Sequence, residues 1–136
     1  MKVVIDTNIL LVSLPVRSKY RPIFDAYLKS TISIIITTDI YLEYLEILHT
    51  QAKEGIARYI EDSFRSAENV TVSNVYYYWN LISVDPDDNK FIDAYMAANA
   101  DYLITNDTHF NEAKRTAFPT VNIISADDFL DILKDL

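Results

Sequence analysis

Residues 2–8, KVVIDTN, decide how the rest of the chain is arranged. Val3, Val4 and Ile5 are three consecutive β-branched residues, a pattern typical of a strand buried on both faces of a parallel sheet. Asp6 follows directly, although burying an unpaired carboxylate is costly or raises its pKa. We therefore expect Asp6 to lie at the carboxyl edge of a central strand and to bind a metal ion.

Four further stretches are also rich in apolar or β-branched residues, and helical patterns separate them. The predicted strands are Val3–Ile5, Ile32–Thr37, Asn69–Ser73, Tyr102–Thr105 and Val121–Ile124. The predicted helices are Ile9–Leu14, Pro22–Ser30, a helix ending near Gln51, Lys53–Ala67, Pro86–Asn99, a short helix from Thr108, and Ala126–Leu136. This alternation predicts a three-layer α/β/α sandwich with a central, mostly parallel sheet of about five strands.

Composition limits both the class of protein and the kind of metal site. The 136 residues suit a single domain, 1–136, and a hydrophobic half with one glycine excludes disorder. Without cysteine there is no thiolate site, and His49 and His109 are too far apart for a zinc motif. Any metal should therefore be a hard cation bound by oxygen.

Charge and hydropathy bear on partners and location. A net charge of −8 is opposite to that of most nucleic-acid-binding proteins, although divalent cations among clustered carboxylates would cancel part of it. No apolar run approaches the ~18 residues of a membrane span, and the start of the chain lacks the features of a signal peptide. We expect a cytoplasmic protein without membrane contact.

Two aspartates follow predicted strands. Asp6 comes after the first strand and Asp107 after the fourth, and ligands of parallel sheets gather at the carboxyl ends of the central strands. Asp107 has a second interpretation, as N-cap of the short helix that follows. The two roles are compatible.

The helix after residue 85 offers a third carboxylate. Asp85 is the predicted N-cap and Pro86 the first helical residue. The positions three, four, seven and eight after Asp88 are apolar: Phe91, Ile92, Tyr95 and Met96. Asp88 therefore points along the apolar face toward the sheet, whereas Asp93 lies roughly 140° around the helix. Helical phase favours Asp88 over Asp93 as the site residue.

Two other features are ambiguous from spacing alone. Glu43 lies near the start of its helix, flanked by Ile40 and Ile47, which brings it close to the end of the preceding strand. The aromatic run at residues 75–79, VYYYW, is suited to packing at a core edge or dimer interface, or to stacking on bases.

Four segments together resemble the PIN-domain family, and most closely its VapC-like toxin components of toxin–antitoxin pairs. They are VIDTN at residues 4–8, Glu43, DPDDNKF at 85–91 and ADYLITND at 100–107. They occur in the family's order and span nearly the whole chain. Each is weak alone, but the set is specific.

The resemblance implies a metal-dependent endoribonuclease that hydrolyses RNA phosphodiester bonds with Mg²⁺ or Mn²⁺. The implied catalytic and metal-binding acids are Asp6, Glu43, Asp88 and Asp107, with Thr7, Asn8 and Thr105 as small polar supports. Alignment leaves Asp93 as the alternative third acid. Asn106 stands where other members often have glycine or arginine, so a phosphate-contacting arginine is missing there.

The resemblance also implies partners, and rival interpretations stay open. A toxin of a type II pair would act on RNA, form a homodimer and bind a cognate antitoxin protein. The rivals are a catalytically inactive PIN-like interaction module and a structure-specific DNA nuclease. A receiver-like phospho-acceptor domain would need a lysine after a late strand, and residues 105–107, TND, supply none.

Overall fold

A computed structural model describes residues 1–136 and contains one sheet of five parallel strands. The strands are β1 (Lys2–Ile5), β2 (Ser33–Ile36), β3 (Val70–Val72), β4 (Tyr102–Ile104) and β5 (Ile123–Ile124). Their order across the sheet is β3-β2-β1-β4-β5. The predicted parallel sheet of five strands is confirmed, with β1 at its centre.

Seven helices flank the sheet. They are α1 (Thr7–Ser13), α2 (Arg21–Leu28), α3 (Thr38–Gln51), α4 (Ile56–Ser66), α5 (Asn89–Ala98), α6 (Asn111–Lys114) and α7 (Ala126–Lys134). Two 3-10 turns, Pro86–Asp88 and Thr108–Phe110, precede α5 and α6. No helix is both long enough and apolar enough to cross a membrane.

The helices form two layers because successive strands are added first on one side of β1 and then on the other. It runs outward from β1 through β2 to β3, then returns to β4 on the other side of β1 and continues to β5. Right-handed crossovers place helices on opposite faces when this direction reverses. Accordingly α1–α4 and α7 contact one another in one layer, and α5 packs on β1, β2 and β4. The predicted three-layer sandwich is confirmed.

The central strands are buried on both faces. Val3 and Val4 are fully buried although their side chains point to opposite sides, and Ile34 and Ile35 of β2 behave in the same way. These residues belong to one continuous hydrophobic cluster that also includes Ile92 and Phe110. Layers on both sides of β1 therefore hold it rigidly, and with it the residue that follows.

Three element boundaries differ from the sequence prediction for local reasons. Helix α4 begins at Ile56 because Gly55 precedes it with φ +89°, a left-handed conformation that favours glycine. β5 is short because the N–H of Asn122 donates to the hydroxyl of Tyr95 at 3.2 Å. The helix after Asp85 begins as a 3-10 turn, and the Asp85 side chain makes no capping hydrogen bond.

The cap of α3 yields the first prediction. Thr37 is buried, and its hydroxyl accepts a hydrogen bond from the N–H of Ile40 at 3.2 Å, whereas neighbouring Thr38 is exposed. We expect Thr37→Ala to lower the free energy of unfolding by about 1 kcal/mol. Thr38→Ala is the matched control and should change it by less than about 0.5 kcal/mol. Urea unfolding measures both values, and equal losses would contradict the assigned cap.

Candidate functional site

The candidate site lies where the direction of sheet building reverses, between β1 and β4. The N–H of Asp6 donates to the carbonyl of Ile104 at 3.0 Å, extending the pairing of the two strands by one residue. The Thr105 hydroxyl then donates to Oδ2 of Asp6 at 2.7 Å. This edge is where parallel α/β sheets bind ligands. Sheet pairing thus fixes the Asp6 carboxylate at the mouth of a crevice.

Asp6 is a carboxylate in an unfavourable environment. Its residue is 7 % exposed. Burial raises the pKa of Asp6, the negative charges of Asp107 and Glu43 raise it further, and the hydrogen bond from Thr105 opposes the increase. Three carboxylates are therefore close enough to repel one another.

Glu43 reaches the site from α3, and both of its oxygens are engaged. The Thr7 hydroxyl donates to Oε2, and Nζ of Lys90 donates to Oε1 at 2.7 Å. Lys90 also donates to Asp87 at 2.7 Å, and its side chain is only 15 % exposed. Burial would lower the pKa of Lys90, but the hydrogen bonds to Asp87 and Glu43 outweigh it and raise the pKa. Lys90 is a fixed positive charge at one border of the acidic group.

Asp88 ends the first 3-10 turn and faces the same group. Burial is the main cause that raises its pKa to about 6, and the charges of Asp85, Asp6 and Asp107 add to the shift. Oδ2 of Asp88 is buried and has no hydrogen-bond partner. Such an atom normally has a partner in a folded protein.

Asp107 has a structural role as well as a place in the group. Its Oδ1 accepts from the N–H of His109 at 2.9 Å, which caps the second 3-10 turn, as one sequence interpretation predicts. Its own N–H donates to the Thr105 hydroxyl at 3.0 Å. Thr105 thus ties Asp6 and Asp107 to each other.

Asp93 interacts with the backbone and not with the other acids. It is 4 % exposed, and its Oδ1 accepts from the N–H of Trp79 at 3.0 Å. Burial raises the pKa of Asp93, the Trp79 hydrogen bond opposes this, and no other carboxylate contributes. Asp93 therefore anchors the irregular segment that contains the aromatic run.

The remaining sequence candidates differ in their environments. Thr7 is buried and bonded to Glu43, whereas Asn8 is exposed on α1 and makes no side-chain hydrogen bond. Oδ1 of Asn106 accepts from the N–H of Ala126 at 3.0 Å and so binds the start of α7. Tyr76 and Tyr78 are 89 % and 68 % exposed, so these rings do not pack in the core.

The arrangement fits a divalent cation. Its donors are carboxylate oxygens, two of its aspartates have raised pKa values, and Oδ2 of Asp88 lacks a partner. A divalent cation would relieve the mutual repulsion and satisfy that oxygen. The carboxylates whose charges act on Asp88 are those of Asp85, Asp6 and Asp107.

Sequence reasoning missed three residues at this site. Lys90 follows Asp88 by two positions, but nothing in its spacing indicates that it bonds to Glu43, 47 residues earlier. The sequence indicates His109 only as an isolated histidine and Asp85 only as an N-cap, yet both side chains lie close to Asp88. The two short 3-10 turns place these side chains near Asp88, and helical periodicity in the sequence does not reveal such turns.

Comparisons with known proteins give one family and a set of shared folds. A family model described as "PIN domain" matches residues 2–109. VapBC2 from Rickettsia felis, solved bound to a DNA fragment of its promoter, superposes with TM-score 0.62 at 17 % identity, covering 92 % of this chain and 98 % of that one. No curated protein sequence gives a significant match.

Two further solved structures share the fold. The PIN domain of human SMG5 superposes with TM-score 0.54 at 19 % identity, covering 99 % of this chain and 98 % of that one. The PIN-domain endonuclease Utp24 gives 0.53 at 19 % identity, covering 91 % and 84 %. At these identities the likeness is one of fold.

Asp88 yields a prediction about pH. A carboxyl whose pKa is raised from 3.8 to about 6 binds its proton more tightly in the folded chain than in the unfolded chain. Stability without metal should therefore fall as pH rises through this window. At pH 7.5 in chelator, Asp88→Asn should stabilise the fold by about 1 kcal/mol, since solvent screens part of the repulsion, or roughly 3–5 °C in Tm.

The control is Asp135→Asn, which removes an equal charge from an exposed position. Its Tm should follow that of the unaltered chain from pH 4 to pH 8. Thermal unfolding followed by circular dichroism measures all three proteins. An Asp88→Asn advantage that is the same at pH 4 and pH 7.5 would contradict the assignment.

Proposed function

Because this chain belongs to the PIN-domain family, we propose that it is a metal-dependent endoribonuclease that hydrolyses RNA phosphodiester bonds. The observation that carries this proposal is the group of mutually repelling carboxylates Asp6, Glu43, Asp88 and Asp107, joined at the carboxyl edge of β1 and β4. A protein without a use for such a group would be more stable without it.

The proposed cofactor is Mg²⁺ or Mn²⁺, held by Asp6, Asp88 and Asp107, with Glu43 as a further ligand or as the group that orients water. When bound, such a cation lowers the pKa of a water molecule and stabilises negative charge that develops on a phosphate. Oxygen ligands from carboxylates suit both ions.

The chain's own residues would position this chemistry. Thr105 orients Asp6 and Thr7 orients Glu43, so that neither carboxylate is free to rotate. Lys90 supplies a fixed positive charge beside Glu43, where it would also attract a phosphate. These groups act by holding ligands and substrate, which favours a single productive geometry.

We further propose that the chain, a single domain over residues 1–136, is the toxin of a type II toxin–antitoxin pair in the cytoplasm. The resemblance to VapC-like members and the shared fold with VapBC2 support this role. A homodimer and a cognate antitoxin protein are the proposed partners. An acidic surface, with net charge −8, suits a partner of basic character.

The first functional prediction concerns Asp6. Asp6→Asn keeps an oxygen that can accept from Thr105 but removes the charge, so we expect a folded protein with RNA cleavage reduced at least ~100-fold. Cleavage of a labelled RNA with Mn²⁺ or Mg²⁺ measures this loss, with Asp135→Asn as the control of unchanged activity. Full cleavage by folded Asp6→Asn would overturn the mechanism.

The second prediction separates the two candidates for the third acid. Asp88→Asn should lose cleavage as Asp6→Asn does, whereas Asp93→Asn should retain it within ~3-fold because an amide oxygen can still accept from Trp79. The reverse pattern would assign the third acid to Asp93.

Two further measurements test the rival functions. In calorimetric titration, absence of saturable Mn²⁺ binding would favour an inactive interaction module. In cleavage assays, activity on DNA alone would favour a DNA nuclease.

A further inference from the structure

Asp88, one of the four acids, also belongs to a second set of side chains that has the arrangement of a cation site. One ligand atom each from Asp85, Asp88 and His109 lies within 4.8 Å of the other two. Nδ1 of His109 is 3.5 Å from Oδ2 of Asp88 and 3.8 Å from Oδ2 of Asp85. One ion with bonds of about 2.0–2.4 Å spans such separations.

The two central atoms of this set lack partners. Oδ2 of Asp88 and Nδ1 of His109 are buried and make no hydrogen bond, and no other buried side-chain nitrogen or oxygen of the chain shares this condition. A buried unpaired polar atom costs about 1–3 kcal/mol. Nδ1 of His109 is 3.5 Å from Oδ2 of Asp88 and 3.5 Å from Oδ1 of Asp107, so a cation bound by these atoms would replace a histidine–carboxylate ion pair.

The surrounding structure fixes the backbone segments that carry the three side chains. Phe110, next to His109, is fully buried and packs against Phe91 of α5 with ring centroids 6.3 Å apart. Because Phe91 follows Asp88 by three residues, this ring pair joins the two 3-10 turns. Phe91 and Phe110 therefore keep the segments that carry Asp88 and His109 side by side.

The set is also accessible and uncommitted. The side chains of His109 and Asp85 are 42 % and 46 % exposed, so an ion can enter from solvent. Asp85 occupies an N-cap position, yet its carboxylate caps nothing and makes no hydrogen bond. Its Oδ2 lies 3.8 Å from Nδ1 of His109, and both atoms could bind the same cation.

We propose that His109 is a nitrogen ligand for a divalent cation bound with Asp85 and Asp88, and that it makes this chain select Mn²⁺ over Mg²⁺. Mg²⁺ keeps to oxygen ligands and gives up its waters reluctantly, whereas transition-metal ions accept imidazole. The inference concerns binding at an edge of the proposed nuclease site and rests on that function only through the shared Asp88.

The test detects the nitrogen directly. Pulsed electron paramagnetic resonance of the full chain loaded with Mn²⁺ should show coupling to a ¹⁴N nucleus, and His109→Ala should abolish it. Calorimetry should show Mn²⁺ affinity at least ~10-fold weaker in His109→Ala, with Mg²⁺ affinity changed less than ~2-fold. His49→Ala, which removes the other, exposed histidine, is the matched control and should behave as the unaltered chain.

A second variant keeps the test decisive. Asp85→Asn should weaken Mn²⁺ binding while the ¹⁴N coupling persists, since His109 is unchanged and the Asp85 side chain makes no capping hydrogen bond. No Mn²⁺ binding, no ¹⁴N coupling in the unaltered chain, or coupling that survives in His109→Ala would each overturn the inference. A chain that shows the coupling but cleaves no RNA would refute the proposed function and leave this site standing. RNA cleavage without the coupling would support the proposed function and overturn the inference about His109.

Discussion

The pairing of β1 with β4 is the constraint on which the rest of the structure depends. Two hydrogen bonds extend this pairing past the ends of the strands: the N–H of Asp6 donates to the carbonyl of Ile104, and the Thr105 hydroxyl donates to Asp6. Because both strands run in the same direction, their ends deliver Asp6 and Asp107 to one edge. The helices that pack on the two faces of β1 therefore lie beside a group of carboxylates whose position the sheet determines.

A few hydrogen bonds and ion pairs partly offset this concentration of negative charge. Two threonines, Thr7 and Thr105, hold carboxylates in place, and Lys90 balances Glu43 and Asp87. At Asp88, burial and the charges of Asp85, Asp6 and Asp107 outweigh the opposing effect of His109 and raise the pKa to about 6. The charged form of Asp88 is thus destabilised in the folded chain, which is the behaviour expected where stability is given up for a site.

The fold could be predicted from sequence because its signals are local. The runs Val3–Ile5 and Ile34–Ile36 are apolar throughout, which is typical of strands buried on both faces. Asp6 and Asp107 could be placed at one edge for the same reason. The contacts of Glu43 with Lys90 and of Asp93 with the N–H of Trp79 could not, because they join segments whose relative position depends on tertiary packing.

The central position of β1 also has a consequence for the order in which the chain is made. Domains emerge from the ribosome N-terminal part first. β1 is synthesised before its partner β4, and Thr105 follows Asp6 by 99 residues. A nascent chain that ends before Asp107 therefore cannot assemble the acidic edge, whatever its earlier segments have already folded into. The topology delays the appearance of the site until β4 and the residues that follow it have been translated.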